Sequence, residues 1–174
     1  MLRSARSLRL LSLTIVLAGL VSCASYESPT APAAAALQLP IVTPLLNGLL
    51  ACRPQPYAIT RQTVGSAGGT IRVGGHTLVI PSGALRQPVL ITAEAPGDAV
   101  ASVRFQPEGL QFARSARLTL DYSACPGARL QLGKHIAYTT ENLRILNLLL
   151  SLDDILGMRV SGNLDHFSRY AVAW

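Results

Sequence analysis

The stretch Thr70-Ile71-Arg72-Val73-Gly74-Gly75-His76-Thr77-Leu78-Val79-Ile80 constrains the fold more than any other part of the chain. Two runs that alternate apolar and polar side chains flank a Gly-Gly pair. A period of two is the signature of a strand with one buried face, and paired glycines take the positive φ angles of a two-residue hairpin turn. Pro81-Ser82-Gly83 then ends the second strand, because proline cannot donate to a ladder and glycine relaxes the turn. Similar runs predict strands at 89–95, 100–106, 116–122, 135–139, 158–164 and 168–174. Short strands broken by turn residues every 8 to 12 positions favour a sandwich or barrel, and about 120 residues suffice for one such core. The expectation is therefore all-β, a single antiparallel β-sandwich over residues 51–174. Residues 143–156 are ambiguous, since Ile145, Leu148, Leu149, Leu152 and Leu156 also fit one face of a helix; we read them as strand then turn. Asp153-Asp154 reads as a turn whose carboxylates point apart.

The region ahead of the sandwich has a different character. Arg3, Arg6 and Arg9 precede an uncharged apolar run over 10–21, the order of a secretory signal. A membrane-spanning helix needs about 20 apolar residues, and this run is too short. It ends in Leu20-Val21-Ser22-Cys23, which resembles the lipobox of bacterial lipoproteins. The resemblance implies that residues 1–22 are removed, that the Cys23 sulfur carries diacylglycerol, and that two or three acyl chains hold the protein on a membrane. Ala24, in place of Asp, resembles the pattern for delivery to the outer membrane in a diderm host. Residues 23–50 then form a tether: Ser28-Pro29-Thr30-Ala31-Pro32 and Ala33 to Ala36 cannot bury a core. The second half of that tether is apolar, and with Pro40 and Pro44 it suits an irregular strand packed along the domain.

Without residues 1–22, twelve basic residues face nine acidic ones, a net charge of +3 rather than the full chain's +6. No basic cluster is denser than Arg114 with Arg117, and the aromatic residues do not interleave with it, so no nucleic-acid partner is expected. Lipidation of Cys23 leaves an even pair of cysteines. In an oxidising compartment Cys52 and Cys125 are expected to form a disulfide.

No recognised catalytic set is present, and neither a cofactor nor a metal is expected. Gly65-Ser66-Ala67-Gly68-Gly69-Thr70 lacks the Gly-Lys-Ser/Thr ending of a phosphate loop, and Ser82 is not in a G-x-S-x-G elbow. His76, His135 and His166 fall on separate elements without ligand spacing.

Gly68-Gly69-Thr70, Val79-Ile80-Pro81-Ser82-Gly83-Ala84-Leu85, Gln106-Pro107-Glu108-Gly109-Leu110-Gln111-Phe112 and His166-Phe167-Ser168-Arg169-Tyr170 stand in this order in the chain. Together they resemble the β-sandwich domain shared by zonula occludens proteins, netrin receptors and ankyrins, over about residues 60–174. The spectrin and death-domain partners of those animal proteins do not carry over to a sandwich that stands alone behind a lipid anchor. In some relatives, a tripeptide similar to His166-Phe167-Ser168 is a site of self-cleavage. The resemblance thus implies attack by the Ser168 hydroxyl on the Phe167 carbonyl, with His166 or another base taking the proton. The plainer expectation is that Phe167 is a core residue while His166 and Ser168 face outward by strand alternation.

The leading functional expectation is a non-enzymatic, lipid-anchored interaction or structural module at the cell envelope, with an envelope protein or polysaccharide as partner. Self-cleavage between Phe167 and Ser168 is one alternative. A carbohydrate-binding module is another, with Tyr57, Tyr122, Tyr138, Tyr170 and Trp174 as its only candidate platforms.

Overall fold

A computed structural model describes residues 48–131 and 133–174. The expected signal, Cys23 and the tether as far as residue 47 lie outside the described residues. Among the described residues eleven strands follow in order: β1 Ala58–Val64, β2 Gly69–Val73, β3 His76–Ile80, β4 Val89–Ala95, β5 Ser102–Gln106, β6 Gln111–Asp121, β7 His135–Thr139, β8 Ile145–Leu149, β9 Ser151–Asp154, β10 Arg159–His166 and β11 Arg169–Ala173. They form two antiparallel sheets, one ordered β1-β4-β5-β11-β7-β8 and the other β2-β3-β6-β10-β9. The sheets pack face to face over one apolar core, so the chain is an all-β sandwich, as its alternation implies.

The β2–β3 hairpin forms where the Gly-Gly pair predicts it, with Val73 opposite His76 and Gly74 at φ +55°. Its inward residues Ile71, Val73, Leu78 and Ile80 are buried, while Arg72 and Val79 face out. From the other sheet, Ile91, Ala93, Val103, Phe105, Ile136, Tyr170 and Val172 meet them. Gly68 is needed for a close approach: at φ +76°, a Cβ there would lie 2.3 Å from the Ile80 carbonyl oxygen.

Three expectations need correction. β1 was not foreseen; its sequence AITRQTV is mostly polar because it is the edge strand of the six-stranded sheet and half-exposed on both faces. Asp153-Asp154 is not a turn but the end of β9, held in the sheet because Asp153 points inward to a buried cation. The run 143–156 is strand and then turn, as expected: β8 and β9 cover Ile145–Leu149 and Ser151–Asp154, and a turn follows from residue 155. A further turn precedes them, where the Leu143 N–H, at φ 60°, donates to the Thr140 carbonyl at 3.0 Å. The strand expected at 168–174 begins at Arg169, because Phe167 and Ser168 carry the chain from one sheet to the other.

The inward side of that edge is polar but satisfied. The Lys134 side chain is fully buried; its Nζ donates to the Gln131 carbonyl, lies 3.8 Å from Asp153 Oδ2, and sits 5.2 Å from the centre of the Tyr122 ring. The Tyr122 hydroxyl donates to Asp153 Oδ1 at 2.6 Å, and burial pushes its ionisation well above the usual tyrosine range. A buried charge persists only when paired and hydrogen-bonded in this way.

Leu49 and Leu50, placed in the tether by composition, are both buried. The Leu50 N–H donates to the Val172 carbonyl at 2.9 Å, and Leu49 packs on Ala137, Ala171 and Ala173 on the outer face of the six-stranded sheet.

Candidate functional site

The four landmarks of the resemblance meet through backbone hydrogen bonds. Gly83 N–H donates to the Ser66 carbonyl at 2.8 Å, which closes the loop before Gly68 onto the Pro81-Ser82-Gly83 turn. Ala113 N–H donates to the Ala84 carbonyl at 3.0 Å. Leu110 N–H returns to the Pro107 carbonyl at 3.3 Å, in a turn where Gly109 takes φ +76° and the Gln106–Pro107 peptide is cis. Between residues 84–89 and Leu110–Ala113 runs a groove of about 580 Å³.

The His166-Phe167-Ser168 corner is docked on the Pro107 turn. Phe167 is wholly buried; its ring stacks on Phe105 at 5.0 Å and takes the edge of Phe112 at 5.0 Å. Its N–H donates to the Leu110 carbonyl at 2.9 Å, and its carbonyl accepts the Gly109 N–H at 2.9 Å. The His166 Nδ1 lies 3.4 Å from that same carbonyl oxygen, so two donors can converge on it when Nδ1 is protonated. The His166 ring meets Tyr138 edge-on at 5.0 Å, and the Tyr170 hydroxyl donates to the His166 carbonyl at 2.6 Å. Burial pushes the Tyr170 ionisation far up, which keeps that hydroxyl a donor.

Phe167 is therefore the core residue expected, but Ser168 does not face outward. It is 5 % exposed, because the corner turns its side chain in rather than continuing the alternation of a strand. Among the described residues its hydroxyl has no hydrogen-bond partner, so no side chain is in place as its base. Arg169 clamps the far side of the corner. Its guanidinium donates to Asp98, to the Glu141 carbonyl and to Ser102 Oγ.

The disulfide Cys52–Cys125 lies beside a different feature, a cavity of about 290 Å³ that it lines together with His76, Ser102 and Asp121. His76 is 8 % exposed, and its Nδ1 accepts the Asp121 N–H at 3.1 Å. That bond places the proton of the neutral ring on Nε2. Burial lowers the His76 pKa below its usual value, against the opposing pull of the Asp121 carboxylate.

The other candidates are scattered. His76, His135 and His166 lie on β3, β7 and β10, and among the described residues no three metal-type side chains cluster. Of the five aromatic candidates for a sugar platform, Tyr122 and Tyr170 are buried and Tyr138 is half-buried; Tyr57 and Trp174 are exposed. No helix among the described residues is long and apolar enough to cross a membrane. Sequence reasoning missed both the donors on the Phe167 carbonyl and the cavity, since each depends on contacts between loops far apart in the chain. No protein-family model matches this chain, and no curated protein is significantly similar to it.

Proposed function

We propose that this chain is a lipid-anchored lipoprotein of the cell envelope, held to the membrane through Cys23, with its β-sandwich serving as a non-enzymatic interaction or structural module. The observation that carries the reading is the Cys52–Cys125 disulfide. A sandwich with a continuous core has no need of a covalent staple in a reducing cytosol, whereas an oxidising envelope forms and keeps one. The basic, apolar and Leu20-Val21-Ser22-Cys23 segments point to the same compartment from the other end of the sequence. Its partner is an envelope protein or polysaccharide, and the outer membrane is its destination in a diderm host. The landmark turns support kinship with the sandwich domain of zonula occludens proteins, netrin receptors and ankyrins, since each performs a close contact that its residues require. Metabolic labelling with an alkynyl fatty acid tests the reading: the protein should be labelled and should lose both the label and membrane association with Cys23→Ser. An unlabelled protein found in the cytosol removes anchor and compartment together.

A second reading, self-cleavage, is favoured by one observation: the Gly109 N–H and His166 Nδ1 converge on the Phe167 carbonyl oxygen, where negative charge would gather. Ser168 Oγ attacks the Phe167 carbonyl carbon, the peptide C–N bond breaks, and the nitrogen leaves as the Ser168 amine with the hydroxyl proton. Water then hydrolyses the ester to the Phe167 carboxylate and the Ser168 hydroxyl. Intact mass after denaturation decides it. A released peptide 168–174, lost with Ser168→Ala, supports cleavage, and a single uncut species in repeated preparations rejects it.

A further inference from the structure

At one end of the sandwich the two sheets stand apart. β1 begins and β4 ends there in the larger sheet, the β2–β3 turn and the end of β6 lie there in the smaller one, and the cavity of about 290 Å³ opens between them. Its walls are small residues: Ala58, Ala95 and Ala101 on one side, Gly74, Gly75 and Ala124 on the other. Elsewhere the core is filled by Ile, Leu, Val, Phe and Tyr at the close packing usual for protein interiors, so the space results from the residues placed at this end. The turn contributes by lacking a side chain, since a Cβ on Gly74 would stand 3.5 Å from that of Ala95 and 3.9 Å from that of Ala58. A strap holds the opening in shape. Ala51 bridges to Val100, the Cys52 N–H donates to the Ala99 carbonyl at 2.8 Å, the Arg53 N–H donates to the Ala124 carbonyl at 3.0 Å, and the disulfide fastens Cys52 to Cys125. A pocket formed in advance costs little ordering when it is filled.

One polar group on this wall lacks a partner. His76 is only 8 % exposed, and its Nδ1 is taken by the Asp121 N–H, so Nε2–H is the donor of the neutral ring. Among the described residues that donor has no hydrogen-bond acceptor, and it is not sealed off in the core; the ring lines the cavity, where an acceptor can reach it. The other polar side chains there are engaged. Asp121 Oδ1 accepts the Ser123 N–H at 2.9 Å and its hydroxyl, Asp121 Oδ2 lies 3.5 Å from Arg159 Nε, Ser102 Oγ lies between Asp98 and Arg169, and Gln55 Nε2 donates to the Arg53 carbonyl. An anion would be repelled by the Asp121 carboxylate, and a cation would face the Nε2–H dipole. An apolar body carrying one neutral acceptor meets neither objection, and such a mixture is what small-molecule pockets ordinarily hold. A cavity of about 150 Å³ is enough for benzene, so this one takes a molecule of about two fused rings. We propose that the cavity is a binding site for a small, uncharged, mostly apolar molecule of that size, whose carbonyl or ether oxygen accepts the His76 Nε2–H. The site does not depend on the lipid anchor or on the compartment.

The test compares 1-indanone with indane, fused-ring probes of nearly equal size of which only the ketone has an acceptor. The full chain carrying Cys23→Ser, with its disulfide closed, bears no acyl chain, so no detergent competes for the probes. Titration followed by amide NMR should shift resonances of residues 52–58, 74–76, 95–102 and 121–125 with both. The ketone should bind about fivefold more tightly, the worth of one net hydrogen bond. In His76→Leu that preference should vanish while indane still binds. Ala58→Phe, which occupies the space from the β1 side, should abolish binding of both probes, and Ala124→Phe fills it from the opposite wall should the first variant not fold. The proposal is overturned if neither probe shifts these residues at millimolar concentration, if the two bind equally to the unfilled cavity, or if the ketone keeps its advantage in His76→Leu. Binding that survives a folded filling variant overturns it too, as do shifts gathered instead at residues 84–89 and 110–113, which would place the probes in the other groove.

Discussion

His76 shows how one buried side chain ties the stability of the fold to solution conditions. Its ring is buried with Nδ1 committed as an acceptor, so the folded protein holds it neutral and its pKa lies below the value of the unfolded chain. The sign follows directly: below the unfolded value near 6.5 the unfolded chain binds a proton that the folded one refuses. Stability is therefore fully present at neutral pH and declines as pH falls through that value, until the folded imidazole also protonates. Urea midpoints between pH 7.5 and pH 5 should fall for the native protein. His76→Gln, whose amide oxygen can take the same Asp121 N–H, should flatten the part due to this ring; an unchanged slope assigns the pH dependence elsewhere. Little of this was legible in sequence. His76 sits at the start of a predicted strand, but its partner is the backbone of a residue 45 positions away, and alternation says nothing about such a distance.

Among the elements, the turns matter more than the strands they join. Gly68 and Gly109 both adopt positive φ near 76°, yet their surroundings differ: a Cβ on Gly68 would strike the Ile80 carbonyl and the Pro81 backbone, whereas nothing lies within 4 Å of the same atom on Gly109. Gly109→Ala should cost only the left-handed penalty, about 1 kcal/mol. Gly68→Ala must also shift backbone, so about 3 kcal/mol or more is expected. Chemical denaturation of both variants checks the order, and equal losses would sink the distinction. Strands β4 and β7 match the predicted spans residue for residue, and both are flanked by neighbours in their sheet. β6 begins earlier than its apolar run: the Ala113 N–H donates to the Ala84 carbonyl, Arg114 Nη1 to the Ser82 carbonyl and Ser115 Oγ to Asp165, partners that lie far from this segment in the sequence. β1 and the end of β9 escaped for a related reason. Edge strands bury little, so their sequences carry less of the pattern that marks a strand.

For the whole molecule, the staple and the topology set the scale of stability. Cys52 and Cys125 are 73 positions apart, and closing so long a loop restricts the unfolded chain by about 4 kcal/mol in the entropy model. Cys52→Ser with Cys125→Ser should lower unfolding free energy by roughly 2 to 5 kcal/mol while leaving the strand signature in circular dichroism unchanged. A loss below about 1 kcal/mol would mean the native bond offers little beyond the core. The pairing was readable because cysteine parity is arithmetic, whereas the corner at Phe167 and Ser168 was not, because crossing between sheets leaves no periodic mark.

β11 lies between β5 and β7, with a ladder on each side. Every other strand of that sheet precedes it in the chain, so β1-β4-β5 and β7-β8 remain two separate ribbons until residues 169–173 have been made and delivered. Whatever synthesises or translocates this polypeptide from its amino end must release it as far as β11 before the larger sheet can zip shut. Nascent chains halted short of Arg169 should consequently stay open to proteases and chaperones, however complete their hairpins already are.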